Sequence, residues 1–321
     1  MMTEIPAVRG FIRMCTDGWE QGWHERNGGN LTYRMKPEEV EQCRPFFTAP
    51  REWNSMGVQA DNLKGEYFIT TGSGKFLRNV QDDPEHNIGI VEINDAGDSW
   101  RIVWGLENGA RPTSEFPSHF MNHSVRKAAT NGAYRVIYHA HTPNLIAMTY
   151  IMPLTARDFT RALWQSATEC PVVFPGGVGV VPWMVPGGAD IAMATSELMK
   201  KYDAAVWAHH GLFVSGPDYD ITFGLMHTIE KAAQIYMLAI TAGGGKIRQY
   251  RRQFESHCEG IRRGTERRIF ELIFTISLQT ICADRCIINL VKNFPYWGLG
   301  DVFYGQQNRI EHNFLSRQGR D

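Results

Sequence analysis

Apolar residues recur along this chain with two periods, near 3.6 and 2, and the alternation between them predicts helices and strands in close succession. Between residues 8 and 23, Phe11, Ile12, Met14, Cys15 and Trp19 fall at helical spacing, and the polar turn Glu25-Arg26-Asn27-Gly28-Gly29-Asn30 ends that helix. Residues 31–35 then read as a strand. Residues 36–65 carry prolines, charges, Phe46, Phe47 and Trp53 without a clear period, and read as a long ordered loop or insertion. A strand over 66–70 runs into the glycine loop Thr71-Gly72-Ser73-Gly74-Lys75. Residues 88–93 and 100–104 read as paired strands joined by Asn94-Asp95-Ala96-Gly97-Asp98, a hairpin turn.

Further along, Thr113 or Ser114 is expected to cap a helix running through His119, Phe120 and Val125, with Pro117 in its first turn. Residues 134–141 form an apolar run expected to be a strand. Helices are predicted over 144–150, from 158 to 164 or beyond, over 189–201 and over 218–242, the last ended by Gly243-Gly244-Gly245. Pro171-Val172-Val173-Phe174 reads as a buried strand beside Glu169, and a strand over 204–208 is followed by a hairpin or continuation over 212–215.

With 321 residues, 43% of them hydrophobic, the chain is long enough for one large α/β domain or two small ones with a sizeable core. A net charge of −1 gives no electrostatic reason to expect nucleic acid or an anionic membrane as partner, so any anion-binding patch is local. No apolar run approaches the ~18 residues that span a bilayer, and residues 1–14 lack a secretory core, so the cytoplasm is the expected compartment. Six scattered cysteines (Cys15, Cys43, Cys170, Cys258, Cys282, Cys286) are too few for a disulfide framework and read as reduced.

The chemistry concentrates at strand ends. His139 and His141 close the 134–141 strand one residue apart, and period 2 sends both imidazoles to one side of the sheet. The strand over 204–208 ends in His209-His210, with Gly211 letting the backbone turn away. Three imidazoles from two strand ends, with one coordination position open, is a common build for a catalytic zinc site; ordinary strand-end histidines are the simpler reading of any one of them. The Asn27-Gly28-Gly29-Asn30 turn and the 72–75 loop offer bare backbone N–H groups to an anion, although each also reads as a plain glycine turn. The latter lacks the spacing of a nucleotide P-loop. Glu115 at a helix start either complements the helix dipole or stands as a carboxylate among hydroxyls. Glu169 is a second candidate acid or base. His119 and His123 lie i, i+4 on one helix without the glutamate of a zinc-protease motif and are assigned to packing or the surface.

Taken together and in order, Glu25-Arg26-Asn27-Gly28-Gly29-Asn30-Leu31-Thr32, Thr70-Thr71-Gly72-Ser73-Gly74-Lys75-Phe76, Pro112-Thr113-Ser114-Glu115, His139-Ala140-His141, the proline-rich 172–187 stretch and His210-Gly211 resemble the class II, zinc-dependent sugar-phosphate aldolases of the aldolase/adducin-like family. The long 31–66 connection is similar to the rhamnulose-phosphate branch of that family. The resemblance spans about residues 8–258. It implies an α/β fold of three layers, α/β/α, with a mostly antiparallel central sheet, and a homotetramer with sites near subunit boundaries. It also implies one Zn2+ per subunit on His139, His141 and His210, with Glu115 as catalytic acid/base. Asn27, Gly29, Asn30, Gly72, Ser73, Thr113 and Ser114 would surround the phosphate and reacting carbons of a sugar phosphate, and Glu169 would be a second carboxylate reaching a neighbouring subunit's site.

The expected reaction is reversible cleavage of L-rhamnulose 1-phosphate to dihydroxyacetone phosphate and L-lactaldehyde. A sibling fuculose-phosphate aldolase, a ribulose-phosphate 4-epimerase and a non-catalytic metal-binding scaffold are the alternatives. Two departures stand out. Ala140 occupies a position where that branch often has cysteine, but it should point away from the metal. Residues 259–321 match nothing in the family and are expected to be an atypical C-terminal extension, loosely packed or disordered, added to a domain over 1–258.

Overall fold

The strand-forming runs pair into one sheet of nine strands among the described residues, 1–185 and 187–243 of a computed structural model. The expectation for residues 259–321, and the readings of Cys258, Cys282 and Cys286, lie outside those residues. The strands are β1 (Asn30–Arg34), β2 (Asn54–Ser55), β3 (Tyr67–Thr71), β4 (Ile88–Ile93), β5 (Ser99–Gly105), β6 (Val136–Ala140), β7 (Gly179–Val181), β8 (Ala204–Trp207) and β9 (Gly211–Gly216). Their order is β2-β5-β4-β3-β1-β6-β9-β8-β7. Every neighbouring pair is antiparallel except β7 with β8.

Nine helices join them: α1 (Pro6–Glu20), α2 (Pro37–Cys43), α3 (Pro84–Asn87), α4 (Phe116–Ala129), α5 (Pro143–Ile151), α6 (Ala156–Ser166), α7 (Cys170–Val173), α8 (Ala189–Met199) and α9 (Tyr219–Thr241), counted among the described residues. Alternation along each strand divides the core between two faces. Leu31, Tyr33, Tyr138, Leu212 and Val214 point to a layer that includes Val8, Phe11, Met14 and Cys15 of α1 and Ile229 and Ala233 of α9. The opposite face holds Phe68 and Ile102 against Phe116 and Phe120 of α4, and Ile137, Trp207 and Phe213 against Ile191 and Met199 of α8. Each large apolar side chain fully buried in these layers contributes about 1.5–3 kcal/mol. The architecture is thus α/β in three layers with a mostly antiparallel centre, and because both faces of the inner strands are covered, β1 and β6 are buried at every residue. No helix of the described residues is long and apolar enough to cross a membrane.

Three local readings change. The run at 171–174 is not a strand: Pro171 sits in the first turn of the short helix α7, and Val172 and Val173 are exposed. The 36–65 connection is partly regular. Pro37 opens α2, the Glu39 carboxylate accepts the Lys36 N–H at 2.8 Å, and β2 pairs with β5. The residue at the N-cap of α4 is Glu115, one or two positions after the expected Ser114 or Thr113.

Register brings the chemically interesting ends together. Asn30 lies opposite His139, and Ala140 lies opposite Leu212. Gly211 allows β6 and β9 to close at this point, because a Cβ there would stand 2.4 Å from the Ala140 carbonyl oxygen and 3.1 Å from His139 Cε1. Backbone cannot yield as a side-chain tip can. Gly211→Ala is therefore expected to destabilise the fold by about 1–3 kcal/mol, read as a lowered midpoint in thermal or urea unfolding; an unchanged midpoint would show that the strands separate freely.

Candidate metal centre

His139 projects from β6 on the face away from Tyr138, and His141 follows one residue beyond the strand end, so their ring centroids are 5.2 Å apart. The β8–β9 hairpin supplies the third imidazole. Its three-residue loop places His209 at φ 61°, which swings the chain so that His210 turns back over β6. His209 itself faces elsewhere, against Thr149 and Tyr150. His139 and His210 approach to 3.4 Å between their Nε2 atoms, and one nitrogen from each of His139, His141 and His210 lies within 4.8 Å of the others. Ala140, by contrast, is buried in the opposite core layer.

Neighbours set the protonation of these rings. His139 Nδ1 donates to the Leu212 carbonyl at 3.1 Å, which leaves its Nε2 lone pair bare. His141 Nδ1 faces the Glu25 carboxylate at 2.6 Å, which favours the proton there and leaves Nε2 bare as well. Burial, then the nearby His210 and His141, holds His139 well below the usual imidazole range. Burial foremost pushes His210 down to about 4. The ring nitrogens of the three histidines converge, and His210 Nδ1 is buried without a partner among the described residues. The set fits a divalent cation bound by nitrogen: three imidazoles, two with their other nitrogen fixed by a hydrogen bond.

Glu115 stands beside this group. Its Oε2 accepts the Asn30 amide N–H at 3.0 Å. Burial holds its carboxyl above the usual carboxylate range, against the pull of the Asn30 bond and of His141. A carboxyl so placed holds a proton more readily than an exposed glutamate, which suits acid/base work.

The two glycine turns lie at the same end of the paired strands β1 and β3. Gly28 and Gly29 pass directly over the histidines: Gly29, at φ +73°, leaves no room for a Cβ, which would meet His24 Nδ1 at 2.4 Å and the His139 carbonyl at 2.8 Å. His24 braces this turn from below. Its Nδ1 donates to the Gly28 carbonyl at 3.0 Å and its Nε2 accepts the Tyr138 hydroxyl at 2.6 Å, with burial pushing the ring down to about 4. Gly72 bridges to Pro112, Thr113 N–H donates to the Thr71 carbonyl at 2.8 Å, and Ser73 N–H donates to the Arg111 carbonyl at 2.8 Å. These ties bring the 72–75 loop to Thr113, Ser114 and Glu115. Asn27, Ser73 and Ser114 are exposed at the rim, whereas Thr113 is buried.

Asn30 differs from its neighbours in that both ends of its amide are committed inside the protein, to Glu115 and to His119. Glu169 is not brought to the centre of this chain. It is exposed at the N-cap of α7, accepts the Thr168 hydroxyl at 3.2 Å, and has no hydrogen bond or ion pair to the histidines among the described residues. Sequence reasoning missed Glu25 as a partner of His141, and His24 and Tyr138 as supports. Only the position of Glu25 and His24 just before the Asn-Gly-Gly-Asn turn hinted at the first two. It also placed His119 and His123 in packing or on the surface; both are fully buried and hydrogen-bonded.

Comparison with known proteins shows the family. The profile of the Class II Aldolase and Adducin N-terminal domain matches residues 9–237. A rhamnulose-1-phosphate aldolase from Escherichia coli strain SMS-3-5 is 48% identical over 245 residues, covering 76% of this chain and 89% of that protein. One from Klebsiella pneumoniae subsp. pneumoniae is 47% identical over 248 residues, covering 77% and 90%. Among solved structures, a sugar-phosphate aldolase from Thermotoga maritima superposes with a TM-score of 0.62 at 26% identity, over 74% of this chain and 96% of that one. A profile match across most of the chain, and relatives near half identical over nearly their whole length, make this chain a member of the class II aldolase and adducin family.

Proposed function

We propose that this chain cleaves L-rhamnulose 1-phosphate reversibly to dihydroxyacetone phosphate and L-lactaldehyde, with one zinc ion per subunit. The observation that carries this reading is the largely buried Glu115 carboxyl beside a cluster of three imidazoles, in a chain 48% identical to a rhamnulose-1-phosphate aldolase. His139, His141 and His210 would hold the metal. When bound, it supplies the positive charge that steadies the electron pair left beside a ketose carbonyl when the neighbouring carbon–carbon bond breaks.

The remaining work falls to the chain's own groups. In cleavage the C3–C4 bond breaks, its electron pair stays on C3, the C4 hydroxyl gives its proton to solvent water as the aldehyde forms, and Glu115 delivers a proton to C3. In condensation Glu115 takes that proton from dihydroxyacetone phosphate. Asn27, Gly29, Gly72, Ser73, Thr113 and Ser114 surround the phosphate end, where the exposed Asn27 amide and the Ser73 and Ser114 hydroxyls suit an anion. Asn30 acts at the reacting end through Glu115. Glu169 serves a neighbouring copy's site in a homotetramer. The exposed Tyr150, Ile151, Val172, Val173, Trp183 and Val185 support such assembly. Buried, unpaired Cys15, Cys43 and Cys170 support a reducing, cytoplasmic setting.

The test is triose-phosphate release from rhamnulose, fuculose and ribulose 1- or 5-phosphates, before and after chelation. Release from rhamnulose 1-phosphate that stops on chelation and returns with zinc is expected. Faster release from fuculose 1-phosphate, epimerisation without release, or activity indifferent to chelation would replace this reading.

A further inference from the structure

Between β1 and α4 runs a buried polar chain that the metal site does not use. Asn30 and Thr32 alternate onto the same face of β1, and His119 and His123 occupy one side of α4, i, i+4. Thr32 Oγ1 lies 2.8 Å from His123 Nε2 and 2.8 Å from His119 Nδ1. His119 Nε2 lies 2.5 Å from Asn30 Oδ1, and Asn30 Nδ2 lies 3.0 Å from Glu115 Oε2. Water does not reach it: Thr32, His119 and His123 are at most 1% exposed and Asn30 is 6% exposed.

The bonding rules give this chain a direction. The Asn30 amide nitrogen only donates, so against an ionised Glu115 the amide must turn its N–H outward and its carbonyl inward; the reverse would set two oxygens against each other. The inward carbonyl then needs a hydrogen from His119 Nε2. Burial keeps the His119 ring neutral, so its Nδ1 is bare and takes the Thr32 hydroxyl hydrogen. Thr32 in turn accepts from His123 Nε2. Every hydrogen along the run points toward Glu115. At its end the carboxylate is held unequally: Oε2 has the Asn30 bond, and Oε1 has no hydrogen bond among the described residues.

We propose that Thr32, His119 and His123 are positioning residues for Glu115, acting through Asn30: they lock the amide so that Oε2 is pinned and Oε1 is the oxygen that exchanges a proton with substrate. This rests on the reading above, that Glu115 moves the C3 proton. A side chain fixed at one oxygen keeps the other within reach of a single carbon, and misplacement by about 1 Å costs on the order of 100-fold in rate.

The zinc-loaded protein is incubated with dihydroxyacetone phosphate in D2O without aldehyde, and loss of the C3 proton is followed by NMR. Thr32→Val, which keeps shape and removes the hydroxyl, is expected to slow exchange by about 10- to 100-fold, with zinc content and the KM for dihydroxyacetone phosphate within about twofold of the parent. Thr32→Ser restores exchange. In the unaltered holoprotein, 15N shifts are expected to show His119 protonated at Nε2 and bare at Nδ1, a readout that does not depend on any variant folding. Exchange unaffected by Thr32→Val, failure of serine to restore it, a rise in KM or loss of zinc in step with the rate, or a proton on His119 Nδ1 would each overturn the proposal. A parent protein that binds zinc and exchanges no proton would instead overturn the aldolase reading.

Discussion

Glu115→Gln is expected to lower aldol turnover by about 10²- to 10⁴-fold, the range that a positioned acid/base contributes, while the folded chain and its capacity to bind metal persist. The replacement keeps the shape of the side chain and an oxygen for the Asn30 amide, so what it removes is the proton. Stability should move the other way. Because burial raises the Glu115 carboxyl, the folded state favours its protonated form: the associated stability is present below the ordinary glutamate range and is lost as pH rises through the higher folded value. Above the pH range in which the folded carboxyl ionises, the parent carries a largely buried charge that glutamine does not, and there the variant should melt at the same temperature or higher. A residue that is costly to keep and costly to lose is one retained for chemistry. Parallel measurement of turnover, zinc content and melting temperature checks this. A variant that falls in melting temperature and activity together would make Glu115 a structural residue.

Removal of the metal is expected to have the second large effect. Chelation should abolish turnover and lower the melting temperature of the parent, since a ligand that binds only the folded chain at about 1,000 times its Kd stabilises it by about 4 kcal/mol. His210→Ala should retain less than about one thousandth of parent turnover. It should also leave melting insensitive to chelator, because the variant has no complete site to lose. His210 is the informative ligand to replace: it is only partly buried in its hairpin loop, whereas His139 packs on Trp207 within the core. Glu25→Gln, which weakens the hold on His141 without touching a ligand, should cost about 10- to 100-fold in zinc affinity, read by competition with a chromophoric chelator. Zinc binding unchanged in His210→Ala would remove the three-histidine site from consideration.

What could be read from the chain beforehand was whatever depends on local period. His139 and His141 share a side because they are two residues apart on a strand, and Glu115 sits where a helix begins; both follow from spacing. What could not be read depends on which strand lies beside which. Glu25 and His141 are joined across 116 positions, and Thr32 meets His119 across 87. An i, i+4 histidine pair looks the same whether it faces solvent or a threonine on a neighbouring strand. The misread run at 171–174 has a different cause. Two valines suggested a strand, but Pro171 fixes a backbone angle suited to a first helical turn, and no partner strand was specified by the local pattern.

The pairing of β6 with β9 has a consequence for how the metal is acquired. Two of the three imidazoles stand on backbone already tied into the middle of the sheet, with the Ala140–Leu212 pairing and the Gly211 contact between them. Ion capture then needs little reorganisation of the scaffold, unlike a zinc finger, whose folding waits for the ion. Affinity in such a preorganised cradle is not spent on building the cradle, so the empty protein should keep its tertiary structure and reload quickly after depletion.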